Sequence, residues 1–260
     1  MTHFFLPVMT LWWREVIRFV RQRSRLVGAF AQPLVFWLLL GGGFSASFRP
    51  PGAPQGTGYL EYLYPGTIIL VLLFTAIFAT IAVIEDRKAG FLQGVLVAPV
   101  PRMSIVLGQA LGGTTLAMLQ GLLFLMLAPV AGIALTVTSV LSVAVVMFLV
   151  SFALTSLGLI IAWRMESIQG FHAIMNLILL PIWFLSGAFF PATGLPAWLT
   201  WLMRLNPLTY GMAALRSSLY LGNPAAVGQT PRLAPSLVVS TLFAVGTFLV
   251  ATAMAQRSLQ

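Results

Sequence analysis

Residues 62–84 read YLYPGTIILVLLFTAIFATIAVI, twenty-three residues without a charge. As an α-helix rising 1.5 Å per residue, such a stretch reaches about 34 Å and crosses a hydrocarbon core of about 30 Å. Glu85, Asp86, Arg87 and Lys88 follow at once, in a chain of 260 residues of which only 7% are charged and 59% are hydrophobic. This is the pattern of a membrane span ending at a polar boundary, and it recurs. Comparable apolar runs occupy about 26–44, 104–128, 139–163, 168–190 and 235–255. The expected fold is an all-α membrane protein of six transmembrane helices, with the whole chain, 1–260, as a single membrane domain. No stretch remains for a water-soluble catalytic domain.

Residues 1–25 differ from the spans. Arg14, Arg18, Arg21 and Arg25 repeat at steps of four, three and four, while Trp12, Trp13, Val16, Phe19 and Val20 fill the other positions. That periodicity predicts an amphipathic helix at the headgroup boundary, where each arginine beside an anionic surface contributes about 1 kcal/mol. The alternative is a cluster of charges that serves only topology. Arginines spread among Trp and Phe do not make a cleavable signal peptide, so this segment is expected to stay attached.

Six spans place both termini on one side, and positive charge chooses the side. With the termini inside, Arg14, Arg18, Arg21, Arg23, Arg25, Arg87, Lys88, Arg102, Arg164 and Arg257 are cytoplasmic, ten of the 14 basic residues. Arg49, Arg204, Arg216 and Arg232 fall outside. The expected location is a bacterial inner membrane with cytoplasmic termini. The net charge of +9 is then a topology signal, and no nucleic-acid partner is implied.

The connections are unequal. Residues 45–61 are rich in Pro and Gly and read as an irregular external loop. After the four charges at 85–88, Gly90, Phe91 and Leu92 open a short apolar run closed by Pro99 and Pro101, which suggests a short helix at the cytoplasmic surface. Residues 191–221 alternate aromatic and breaker residues, including Trp198, Trp201, Asn206, Pro207 and Tyr210, as in a hairpin dipping into the outer interface.

Chemistry is scarce. No glycine-rich phosphate loop precedes the single lysine, Lys88, so the chain carries no nucleotide site of its own. His3 and His172 are far apart and lack carboxylates at ligand spacing, which argues against a metal centre. There is no Gly-x-Ser-x-Gly, and Asp86 is the only aspartate, which argues against hydrolases and aspartyl proteases. Cysteine is absent. No catalytic residue is expected. Within the spans, His172 and Asn176 sit one turn apart, either as an interhelix polar contact or as a pair lining a cargo path. The lack of acids at mid-membrane argues against transport driven by protons or sodium. Phe30, Phe36, Trp37, Phe74, Phe78, Phe152, Trp183 and Phe184 either face lipid or line an aromatic interior.

Two blocks resemble a known family. The first is EDRKAGFL at 85–92 with LVAPVPR at 96–102 and Leu107-Gly108; the second is LSGAFFP at 185–191 with LPAW at 195–198, LNPLTY at 205–210 and Arg216. Both are similar to the permease subunit of type-2 ABC exporters, the family of daunorubicin-resistance, Nod-factor and polysaccharide exporters. The resemblance implies a working unit of two permeases, expected as a homodimer with pairing to a related permease as the alternative, and two copies of a separate cytoplasmic ATPase that binds ATP and Mg. It implies a coupling element at Glu85, Asp86, Arg87, Lys88, Gly90, Phe91 and Leu92, with Phe91 and Leu92 as its apolar anchor. It also implies that the helix bearing Trp12, Trp13, Arg14, Arg18, Arg21 and Arg25 is the family's interfacial helix. An outer gate of short re-entrant helices would comprise Phe189, Phe190, Pro191, Asn206, Pro207 and Tyr210. The expected cargo is an amphipathic or hydrophobic small molecule or lipid, and the alternative is a lipid-linked oligosaccharide or polysaccharide.

Overall fold

A computed structural model describes residues 2–44, 58–192, 194–221 and 230–257, and among the described residues there is no strand. The chain runs α1 (Thr2–Arg21), α2 (Arg23–Phe44), α3 (Tyr59–Lys88), α4 (Phe91–Val97), α5 (Arg102–Leu125), α6 (Val137–Ala162), α7 (Ile168–Trp183), α8 (Ala197–Leu205), α9 (Pro207–Leu219) and α10 (Leu233–Arg257). Six of these are long and apolar enough to cross a membrane: α2, α3, α5, α6, α10, and α7 with its continuation to Ala188. The loop expected at 45–61 lies outside the described residues as far as residue 57.

Helix α3 is the axis of the molecule. It is apolar on every side, as a helix enclosed by others must be, and α2, α5, α6, α7 and α9 pack around it. Its apolar window is 89% buried, whereas those of α2 and of α7 are each 22% buried. Close packing depends on small residues. A Cβ on Gly66 of α3 would stand 2.7 Å from that of Ala188, and one on Gly113 of α5 would stand 2.6 Å from the Thr155 methyl of α6. In a bilayer, where lipid is as apolar as leucine, such close approach is what holds helices together.

Trp37 and Trp183 are buried in the core. Trp37 lies edge-on to Tyr64 and Phe124, with ring centroids 5.4 and 5.6 Å away. Its indole N–H donates to the Leu60 carbonyl at 2.9 Å, and that of Trp183 donates to the Gly66 carbonyl at 2.8 Å. A buried indole N–H usually finds such a partner, and with both rings almost fully enclosed the lipid-facing alternative is excluded for these two residues.

Several boundaries move from their sequence positions. The interfacial helix stops at Arg21, and Arg23 and Arg25 begin α2. The third span stops at Leu125, before a 3-10 turn at Ala128–Ala131. Helix α7 gives way after Trp183 to a π-helical turn, Phe184–Ala188, in which Gly187 takes a φ of 82° that only glycine adopts readily. The four charges at 85–88 are the last turn of α3 and not a loop. Helix α3 therefore has 30 residues, about 45 Å, and its charged end projects beyond a hydrocarbon core. The short surface helix is α4, set off by Gly90 at a φ of 75°.

Candidate functional site

The charged groups converge at the α4 end of the bundle. Helix α1 lies against α5 because α5 presents Gly108 and Gly112 one turn apart. A Cβ at 108 would meet the Val8 carbonyl and one at 112 would stand 2.7 Å from the Glu15 Cβ. The Trp12 indole N–H donates to the Thr115 hydroxyl at 2.9 Å, while Trp13 is exposed. This docking brings the basic face of α1 onto the end of α3.

There Arg14 donates to both carboxylate oxygens of Asp86, each at 2.7 Å, the bidentate geometry that suits guanidinium to carboxylate. Arg18 donates to Asp86 at 2.6 Å and to Glu85 at 2.5 Å. Asp86 is 3% exposed, so two arginines neutralise a carboxylate that could not remain charged and buried alone. Arg14 also stacks on Phe91, its Cζ 3.8 Å from the ring centroid, which ties α4 into the same cluster. Its pKa is raised, first by the hydrogen bond to Asp86. Glu15, 3.2 Å from Arg14, is pushed up to about 7, chiefly by burial and then by the Asp86 charge, against the opposing pull of Arg18 and Arg14. Arg87 points elsewhere: it donates to the carbonyls of Trp163 at 2.6 Å and Met165 at 3.2 Å, binding the end of α3 to the α6–α7 turn.

The expected coupling residues are thus brought together but differ in exposure. Glu85 and Asp86 engage α1, while Lys88 is exposed and Phe91 partly so. Leu92, expected as half of an apolar anchor, is 2% exposed and belongs to the core; the turn of α4 points it inward, and Val97 is outermost at 85%. The expected headgroup-facing role of α1's basic stripe is corrected for Arg14 and Arg18, which face Asp86. Arg21 is exposed, and the Arg25 side chain lies outside the described residues.

At the opposite end, α8 and α9 are two short helices that meet at Asn206. Asn206 caps α9, its side-chain oxygen accepting from the Leu208 N–H at 3.0 Å, and its amide donates to the Ile182 carbonyl at 2.7 Å. Thr209 donates to the carbonyls of Met203 at 2.7 Å and Leu185 at 3.2 Å, and Tyr210 to that of Arg204 at 3.1 Å. Pro207 fills the first turn of α9, where a missing N–H costs nothing. Phe189 packs its ring against Tyr59, Trp183 and Phe184, and Phe190 against Phe189; Pro191, half-buried, ends this aromatic group. Beneath lies Arg216, 7% exposed, donating to the carbonyls of Tyr62 and Gly187 at 3.3 and 3.4 Å with its Cζ 4.4 Å from the Tyr62 ring centroid. His172 touches the rings of Phe78 and Phe171, and Asn176 is exposed on α7.

Sequence reasoning missed Glu15 and the inward use of Arg14 and Arg18. The signal was present: Gly108-x-x-x-Gly112 marks a helix contact, and the buried acids of the α3 end need cationic neighbours.

Comparison with known proteins matches residues 7–220 to a family model described as ABC-2 type transporter. The chain is 29% identical over 206 residues to the transport permease ycf38 of Cyanophora paradoxa, covering 78% of this chain and 70% of that one. It is 25% identical over 254 residues to nodulation protein J of Rhizobium leguminosarum bv. viciae, covering 96% and 94%. It is 23% identical over 257 residues to the inner membrane transport permease YadH of Escherichia coli K12, covering 98% and 96%.

Proposed function

Because the chain belongs to the ABC-2 type transporter family of membrane permeases, we propose that it is the membrane-spanning subunit of an exporter powered by a separate ATPase. The observation that carries this reading is the knot at the α4 end. One ion-pair cluster joins α1 to the end of α3, Phe91 of α4 stacks on that cluster, and Arg87 ties in the α6–α7 turn. A push on α4 is therefore delivered to α3, which lies at the centre of the bundle.

In this proposal two copies of the chain pair with two cytoplasmic ATPases, which bind ATP and Mg. Phe91, Lys88 and Val97 meet the ATPase surface, and Glu85, Asp86 and Arg87 transmit its motion. The sparsely buried α7, bearing His172 and Asn176, lines the path between copies. The aromatic group around Phe189 and the hairpin held by Asn206, Pro207 and Tyr210 close the outer end. ATP binding rocks the two halves outward, and hydrolysis resets them. The α4 end and both termini are cytoplasmic, in an inner membrane like that of the relative named for one.

The cargo in this reading is an amphipathic or hydrophobic molecule or a lipid. The alternative is a lipid-linked oligosaccharide or polysaccharide, favoured by the near full-length likeness to a nodulation protein. The test is copurification of the chain with an ABC ATPase, followed by ATP-driven uptake into inverted vesicles. Uptake of an amphipathic dye supports the first cargo class, and transport of a glycolipid with no dye uptake supports the second. A chain that purifies alone and conducts ions in bilayers overturns the exporter reading.

A further inference from the structure

We propose that the groove between the end of α1 and the outer faces of α5 and α6 holds an acyl chain of an anionic glycerophospholipid, with the lipid phosphate on Arg21 and Arg23. The groove has a volume of about 550 Å³, within the range of small-ligand pockets. It begins at Phe19 and Val20 and follows α5 from Leu116 to Met126, a rise of about 15 Å along that helix. A guest lying in it runs along the axis of a membrane span. The lining is apolar apart from Gln120, whose carbonyl already accepts from Thr75 at 2.6 Å. Water finds no other partner there, so the occupant is hydrocarbon.

One end of the groove is polar and basic. At the α1–α2 break, Arg21 and Arg23 are exposed, and neither has an ion pair among the described residues. Between them, Gln22 has a buried side-chain oxygen without a hydrogen-bond partner. That residue lines a small cavity sharing Phe19 and Leu116 with the groove. Two exposed cations at one end of a linear apolar slot complement a phosphodiester. The amphipathic α1 places this end at the depth of headgroups. A lipid with a net negative headgroup fits the two arginines better than a zwitterionic one, by about fivefold for each arginine. The site stands apart from α7 and the aromatic group at Phe189, so it concerns a resident lipid and not the cargo.

The test is native mass spectrometry of the full-length detergent-purified chain, titrated with phosphatidylglycerol and separately with phosphatidylcholine. Wild type is expected to bind phosphatidylglycerol at least about tenfold more tightly. The double variant R21A/R23A should lose that preference while still binding both lipids weakly. The double variant L119W/L123W, which fills the slot from its lipid-exposed side, should lower occupancy by both. If the Trp variant does not fold, the arginine variant still decides. Equal affinity for the two lipids in wild type, or a preference that survives R21A/R23A, overturns the proposal. So does loss of self-association in L119W/L123W with lipid binding intact, which would assign the groove to a second copy. The readout needs neither an ATPase nor cargo, so it is independent of the exporter reading.

Discussion

Arg14 and Asp86, 72 positions apart in the chain, meet through two parallel hydrogen bonds of 2.7 Å, and through them a surface helix is fixed to the central helix of the bundle. Asp86 is the deeper partner and also accepts from Arg18. The pair ties α1, which otherwise packs mainly on α5, to the end of α3.

Asp86→Asn leaves two guanidiniums facing a neutral amide. Removing one partner of a buried ion pair costs about 3–5 kcal/mol, whereas replacing both partners by apolar residues of similar volume is far milder. The thermal midpoint of D86N should fall by several degrees, with faster tryptic cleavage at Arg21 and Arg23. The double variant R14M/D86M should recover most of the loss. Unchanged melting and cleavage in D86N would show that α1 is held by its contact with α5 alone.

Glu15 makes stability depend on pH in a defined direction. Its carboxyl titrates near 7 in the folded chain against an ordinary 4.5, so the folded state holds a proton that the unfolded state gives up. Stability from this group is fully present below pH 4.5 and is lost as pH rises through 7. Glu15→Gln keeps the neutral form at all pH values. The melting curves of E15Q and wild type should coincide near pH 4.5, separate progressively between pH 4.5 and about 7 and stay a constant distance apart above that, E15Q being the more stable by up to about 3 kcal/mol. A constant difference across pH would assign the effect to packing.

Gly112 tests the seat of α1. A Cβ there would press on the Glu15 Cβ at 2.7 Å, and both neighbours are backbone-bound, so neither can swing aside. Gly112→Leu should destabilise by about 1–3 kcal/mol and increase labelling of a cysteine placed at position 15. Gly246→Leu, at a glycine with no atom within 4 Å of the added Cβ, should do neither.

Asn206 joins α9 to α7 through its cap and its bond to the Ile182 carbonyl. Asn206→Ala loses both and should cost about 2 kcal/mol. Asn206→Asp keeps the cap but not the donor, so it should fall between the two. Equal melting of N206D and N206A would show that the cap carries little, and N206D matching wild type would remove the Ile182 bond from the outer architecture.

The span plan was legible because it depends on composition over long windows: the uncharged run at 62–84 could be little else. The boundary at 84/85 was misread because charge normally ends a span, and here the four charges stay helical with three of their side chains engaged by α1 and the α6–α7 turn. Exposure at α4 was legible only in part. In a seven-residue helix the face that turns inward depends on Gly90 and its backbone angle, which sequence spacing does not specify. The buried Trp37 and Trp183 were ambiguous for a different reason: whether an indole faces lipid or core depends on a carbonyl partner from another helix.

The clamp also orders events during synthesis. Arg14 and Arg18 leave the ribosome long before Asp86, and the only acids made before Glu85 are Glu15 and Glu61. In the orientation proposed above, residues 2–25 are strongly positive as they are made, which favours their retention on the cytoplasmic side. When the end of α3 arrives, two of those charges are neutralised against Asp86 and Glu85. In that orientation the same guanidiniums would serve first as a topogenic signal and then as a structural latch, so D86N should leave membrane orientation intact while R14A/R18A weakens it.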